Sequence, residues 1–379
     1  MARAAAKHRR PGRARRWFLS AALAALGVVA TSRPAATQAL DKLVAAARKE
    51  GQLTVIALPH DWCGYGELIA GFRTRYGLKV EELDPQADSA AELEAIKAGR
   101  KTKGAKAPDV IDAAQAFGPV AVKQKLLAPY KVATWDSIPA AAKDPAGYWY
   151  GDYYGVLVFE INGAVVRRSP GDWADLLAPD YRNAVALAGD PRSSTQGILG
   201  VYAAGLSQTR GQADQAAAAG LRFFAELKKR GNLLPTVGKP ATLARGTTPI
   251  VIRWDFNALY DRDALKGNPP VQVVIPASGV VARFYIQAIS ATAPHPNAAR
   301  LWMEYLYSDE GQLGLLKGYC RPIRFDDLLK RKKIPPELLA RQPPAAGYAR
   351  AVFPSPAQQA AARDAIAKGW NKVVGVDVR

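Results

Sequence analysis

The chain has 379 residues, 49% hydrophobic and 22% charged, which is enough apolar material for a sizeable core and argues for two or three domains. The two cysteines and three histidines exclude a Cys-rich zinc module or a dense disulfide framework, and no apolar run reaches the length of a membrane-spanning helix. The formal charge of +19 is concentrated at the start: the first 40 residues carry eight cations and no acids, and without them the balance is +11. The remaining Lys and Arg are mixed with acids, so this is a solvated basic surface and no nucleic-acid partner is indicated.

Residues 1–39 are laid out as an export signal. A basic region runs to Arg16, an apolar stretch covers Trp17 to Thr31, and small residues lead to Ala39, after which cleavage is expected. Arg15-Arg16-Trp17-Phe18-Leu19 is similar to the twin-arginine consensus. The mature chain is then expected in the periplasm, where Cys63 and Cys320 could pair as a disulfide or stay two separate buried thiols.

From Asp41 onward, helical and strand patterns alternate. Asp41 suits the N-cap of a helix that Gly51 closes. Leu53 to Leu58 reads as a buried strand, and the next helix carries Leu68, Ile69, Phe72 and Tyr76 on one face. Leu78 to Leu83 is a strand, Ser89 with Glu92 is a capping-box pattern, and Pro108 to Asp112 is a strand before a helix from Phe117. Tyr153 to Ile161 is strand-like, Asp172 caps Trp173–Leu177, and Val185 to Ala188 is a strand before a helix from about Gln196. A long helix from about Asp214 ends at Gly231. Strands are expected over Thr248–Trp254, Val271–Ile275 and Ala282–Ile289. Asn297 caps a helix through Tyr307, Ser308 starts another, and a Pro-rich stretch from Ile334 to Pro356 precedes a last helix.

This order predicts an α/β fold of two lobes, each a mostly parallel sheet flanked by helices. Lobe 1 is expected over 40–151 and 277–330 and lobe 2 over 152–276, with 331–379 as a wrapping segment and helix. Two crossings near Asp152–Ile161 and Val271–Tyr285 form the hinge. Ligands of such sheets sit beyond the carboxyl ends of strands, so the loops His60–Tyr65, Asp84–Ser89 and Ala113–Phe117 are candidate site elements.

The chain carries no dinucleotide fingerprint, P-loop, zincin helix or G-x-S-x-G elbow. His295, between two prolines, reads as a surface residue at a helix start. A Ser-His-Asp triad could still assemble in space, which leaves an exported hydrolase without a cofactor as an alternative class. No cofactor or metal is called for, and a binder is favoured over an enzyme.

The order of elements resembles the extracellular solute-binding proteins of bacterial ABC transporters, in the two-lobed class (periplasmic binding protein type II-like) that includes spermidine/putrescine, ferric-ion and aminoethylphosphonate binders. The resemblance is carried by Leu53–Val80, by Gly147–Gly151 through Ile161-Asn162, by Asp172–Leu177, and above all by Ala293–Ala299 through Tyr305–Gln312. It implies a monomer whose lobes close over a small-molecule solute and then dock on a membrane permease, with no chemistry done on the solute.

Three clusters are candidates for solute contact. Asp61, Trp62 and Tyr65 place two aromatics three apart beside a carboxylate, a pattern suited to an amine and similar to the Trp-x-x-Tyr of polyamine-binding members. The aromatics could equally pack under the loop. Trp254-Asp255 repeats aromatic plus carboxylate, although Asp255 could instead cap a helix. Ser193 and Ser194 with Thr195 at a helix start favour an anion, or serve only as an N-cap. Ser89, Asp152 and Tyr153 complete the expected site. A polyamine-like solute is the first expectation. An anion such as a phosphonate and a ferric ion are the alternatives.

Overall fold

The computed structural model describes residues 35–101 and 107–379. The basic and apolar parts of the expected leader therefore lie outside the described residues, as does the twin-arginine motif. The first helix runs over Ala35–Glu50, six residues earlier than the Asp41 cap expected, because the alanine-rich stretch before Asp41 continues the helix without a break. Gly51, at φ 75°, closes it by donating to the Ala47 carbonyl.

Ten strands follow: β1 Gln52–Val55, β2 Lys79–Glu82, β3 Val110–Ala114, β4 Leu127–Ala128, β5 Tyr150–Asn162, β6 Val185–Leu187, β7 Ile250–Trp254, β8 Val271–Val274, β9 Ala282–Ser290 and β10 Arg321–Pro322. The main path runs β2-β1-β3-β9-β5-β7-β6. Both outer arms are parallel, β1 with β2 and β3 on one side and β6 with β7 on the other. The strands that link the arms are antiparallel.

β5 belongs to both halves. Its segment Tyr150–Val156 pairs with β9, and Leu157–Ile161 pairs with β7. Twelve of its 13 residues are buried, as expected of a strand covered on both faces. β8 returns along the far end of β5, and the chain passes from there into β9. Behind this crossing lies the Pro-rich C-terminal segment. Ala282 donates to the Val352 carbonyl and Val352 donates to that of Val280, both at 2.8 Å. The last helix, Pro356–Val373, then packs on the helices Ala213–Lys229 and Thr195–Gln208.

Each half has its own aromatic core. Phe72, Tyr76, Trp302 and Tyr305 interlock in one, and Phe159, Trp173, Phe223, Phe224 and Trp370 in the other. In the second half the helices Thr195–Gln208 and Ala213–Lys229 cross in backbone contact. A Cβ at Gly205 would lie 1.8 Å from the Ala216 carbonyl oxygen, so only glycine permits the approach.

Two expected caps are built differently. Asn297 does not cap its helix. The carboxylate of Glu50 does, accepting from the amides of Asn297 and Ala298 at 2.9 and 2.8 Å, where an anion suits the helix dipole. Ser89 and Glu92 form no capping box. Asp88 accepts from the amides of Ala90 and Ala91, which frees Ser89 and Glu92 to accept from the β3 amides of Ala114 and Asp112. Ser308 caps as expected, accepting from the Gly311 amide.

Cys63 and Cys320 form a disulfide with a Cα–Cα distance of 5.1 Å. It pins the loop after β1 to the turn before β10, where a Cβ on Gly318 would lie 2.2 Å from the Cys63 carbonyl carbon.

Candidate functional site

A cleft of ≈ 600 Å³ opens at the carboxyl ends of the strands, and the loops after β1, β2 and β3 all border it. β1 leads to Ala57, Pro59 and Trp62, β2 to the run Pro85–Ala90, and β3 ends on Asp112 and Ala114 before Phe117. β9 supplies Arg283 and Tyr285, which share a face of the strand through their two-residue spacing. The other half contributes Ser193–Gln196, Trp254 and Asn257, and the last helix adds Arg363.

Of the residues expected from sequence, Trp62, Ser89, Tyr153, Ser193, Ser194 and Trp254 border this cleft. Four do not. Asp61 is exposed on its loop. Tyr65 and Asp152 are buried behind it and bonded to each other, Tyr65 Oη donating to Asp152 Oδ2 at 2.9 Å. Asp255 is buried at the crossing, where it accepts from the Val156 amide at 3.0 Å and from the Tyr348 hydroxyl at 2.6 Å. Its carboxylate thus joins β5, the Asp255–Ala264 helix and the C-terminal segment. The cleft also gathers Glu92, Asp112, Arg283, Tyr285 and Arg363, which were not expected. An acid and a cation inside otherwise apolar strand patterns were the signals for Asp112 and Arg283. Nothing local marks Arg363.

One wall is aromatic and carboxylic. Trp62 Nε1 donates to Tyr153 Oη at 2.7 Å, and Tyr153 stacks on Tyr285 with centroids 5.2 Å apart. Behind them, Glu92 and Asp112 are almost wholly buried. Glu92 Oε2 accepts from the Asp112 amide at 2.7 Å, but Glu92 Oε1 and Asp112 Oδ1 have no partner. Burial pushes both carboxyls well above the usual range, and for Asp112 the neighbouring acids Asp152 and Glu92 add to it. Burial likewise raises Asp152 to about 7 and Asp255 to about 6.

The rest of the lining is positive. Ser194 caps the Thr195–Gln208 helix, its Oγ accepting from the Gly197 amide, while the amides of Thr195 and Gln196 find no acceptor among the described residues. Gln196 is held by the Ala188 carbonyl and the Trp254 amide. Arg192, two residues before the cap, is already neutralised by Asp190 and Asp377 at 2.8 Å each. Arg283 is not. Its side chain is 8% exposed, its Nε is buried without a partner, and no carboxylate among the described residues pairs with it. The Tyr285 ring faces its guanidinium, at 5.1 Å. Arg363 reaches Thr195 Oγ1 at 3.4 Å.

The raised carboxyls set a pH dependence. They bind protons more tightly folded than unfolded, so their stabilisation is complete below the ordinary carboxylate range and is lost as pH rises through about 6 to 7. Asp190, Asp309 and Asp327, held low by hydrogen bonds from arginines, act in the opposite sense and only in stronger acid. Thermal melts should therefore give a higher midpoint at about pH 5.5 than at about pH 8. A midpoint that climbs steadily to pH 8 would refute the buried-acid arrangement.

Among the described residues no group of three or more His, Cys, Asp and Glu side chains gathers as a metal site. None of their helices is long and apolar enough to cross a membrane.

Residues 105–343 match the family model for bacterial extracellular solute-binding protein. In sequence the chain is 27% identical over 158 residues to the sulfate-binding protein of Escherichia coli, spanning 40% of this chain and about half (46%) of that protein's length. In structure it is similar to iron-bound HitA from Pseudomonas aeruginosa, with a TM-score of 0.63 at 17% identity over 86% of this chain and 99% of that one. The spermidine/putrescine substrate-binding protein PotD from Streptococcus pneumoniae gives 0.63 at 15% over 84% and 98%. AfuA from Actinobacillus pleuropneumoniae, with fructose-6-phosphate bound, gives 0.58 at 20% over 86% and 99%. At such identities these structures establish the shared two-lobed fold.

Proposed function

The chain belongs to the bacterial extracellular solute-binding proteins, and on that premise we propose that it captures a small acid-bearing solute in the periplasm for an ABC importer. The observation that carries the choice of solute is Arg283, a buried guanidinium without a carboxylate partner that borders the cleft. A buried cation is costly unless a counter-charge reaches it, and here the counter-charge is the solute. The helix N-terminus at Thr195, with two free amides and three flanking hydroxyls, adds a second anion-favouring element to the same cleft. Sulfate-binding and sugar-phosphate-bound proteins among the similar ones are compatible with this reading. Closure of the lobes would enclose the solute, and the closed form would dock on a permease as a monomer.

The polyamine expectation loses one of its supports, since Asp255 lies behind the cleft with both oxygens engaged. The aromatic wall of Trp62, Tyr153 and Tyr285 beside Asp112 is the observation that still favours an amino group.

A thermal-shift screen separates the readings. Sulfate, phosphate, phosphonates and organic acids should include a ligand that stabilises by ~2.7 kcal/mol at ~100-fold over its dissociation constant. Spermidine, putrescine and ferric citrate should not. Stabilisation by putrescine or spermidine, with none from any acid, would overturn the proposal.

A further inference from the structure

We infer that the solute is zwitterionic, its acid group facing Arg283 and its protonated amine facing Asp112 across the same cleft. The inference rests on the acid-binding reading above and deepens it.

The argument begins with charges that do not meet. Arg283 and the carboxyls Glu92 and Asp112 border one cleft, yet no ion pair joins them within 4.0 Å, and Arg283 has no carboxylate partner of any kind among the described residues. A site for a simple anion gains nothing from buried acids, which repel it whenever they ionise. A site for a simple amine gains nothing from a buried arginine. A solute with both charges, separated by a short chain, satisfies the arginine and the carboxyl without bringing them together.

The surroundings of Asp112 fit an ammonium. Asp112 is more than nine-tenths buried, and its Oδ1 has no partner. Its Oδ2 takes a long contact, 3.5 Å, from the Tyr153 hydroxyl. Trp62, Tyr153 and Tyr285 border the cleft on the same wall, and ring faces attract cations. The groups around it are Glu92 from the Ser89–Lys101 helix, Tyr65 from the Tyr65–Tyr76 helix, Asp152 and Tyr153 from β5, and Tyr285 from β9. None is a cation, so no side chain in this shell can neutralise Asp112. The aromatic bodies would also cover the carbon chain between the two charges.

Burial and the neighbouring acids favour the protonated Asp112 carboxyl, whereas an arriving ammonium favours the ionised form, so binding of the zwitterion should release protons to the buffer. A plain carboxylate has no such effect.

The test uses a graded series of ω-amino acids, each matched with the alkanoate and the alkylamine of the same length, titrated calorimetrically in two buffers of different ionisation enthalpy. The zwitterion of the best length should bind about tenfold or more tightly than its alkanoate, with proton release seen only for the zwitterion. Asp112→Asn should erase that advantage and the proton release while leaving alkanoate affinity in place. The amide has nearly the size and shape of the Asp112 carboxyl, whose ionisation burial disfavours, so the variant should melt near the parent. Glu92→Gln serves as the second variant if it does not. Arg283→Met should weaken both members of the pair.

Equal affinity for zwitterion and alkanoate, unchanged in Asp112→Asn, would overturn the zwitterion and leave the acid reading standing. A series in which no zwitterion binds also overturns it. Undiminished binding in Arg283→Met would instead sink the acid reading beneath it.

Discussion

Arg283→Met should weaken an acid-bearing solute by roughly 30- to several thousand-fold, the range expected when one partner of a desolvated charge pair is removed at a cost of 2–5 kcal/mol. The unliganded protein should respond in the opposite direction. The guanidinium is buried, its Nε has no acceptor, and no carboxylate balances its charge, so an apolar chain of similar length removes a desolvation penalty. The empty variant should melt at or above the parent's temperature while its affinity collapses. That opposition separates a binding role from a structural one, which would lower both. Arg192→Met is the control. Arg192 stands beside Ser193 but is satisfied by Asp190 and Asp377, so its loss should reduce stability slightly and leave affinity nearly intact. If Arg192→Met abolished binding and Arg283→Met did not, the positive wall would have been assigned to the wrong arginine.

Breaking the Cys63–Cys320 disulfide should cost about 2–5 kcal/mol, roughly 3–7 °C in melting temperature for a protein of this size. The bond closes a loop across a sequence separation of 257, so the oxidised unfolded chain is far more constrained than the reduced one. The effect should extend to the cleft. Cys63 follows Trp62 directly, and the Gly318 turn rests against the Cys63 and Gly64 backbone, so the bond helps to hold the loop that presents Trp62 to Tyr153. Melting with and without reductant, beside a Cys63→Ser, Cys320→Ser double variant, tests this. Coincident melts in all three would mean that the bond contributes nothing to the fold.

Much of the architecture was written locally. Strands were visible as short apolar, β-branched runs and helices as apolar faces ending at Gly51, Gly77 and Gly231, because period and capping are properties of neighbouring residues. Where a cap comes from afar the local pattern misled. Glu50 reaches the helix that Asn297 was expected to start, and Asp88 replaces Ser89 because Ser89 serves β3 instead.

The cleft followed the same division. The loops after β1, β2 and β3 border it, as the carboxyl-end rule leads one to expect, and Trp62, Ser89, Tyr153, Ser193, Ser194 and Trp254 take part. The aromatic-carboxylate pairs Trp62 with Asp61 and Trp254 with Asp255 looked alike in sequence. Folding parted them, leaving Asp61 in solvent and drawing Asp255 into the crossing, because a carboxylate next to a buried amide and a tyrosine hydroxyl is better satisfied there.

The amino-acid order alone thus determined the succession of elements, the two-lobed α/β class and the kinship with solute-binding proteins, all of which rest on patterns repeated over a few residues. Only the tertiary structure decided that Cys63 meets Cys320, that Asp255 holds the crossing, and that Arg283, Asp112 and Arg363 border one cleft. Those outcomes depend on contacts between segments tens to hundreds of residues apart, and the balance of burial and charge that selects them exists only once the segments are packed together.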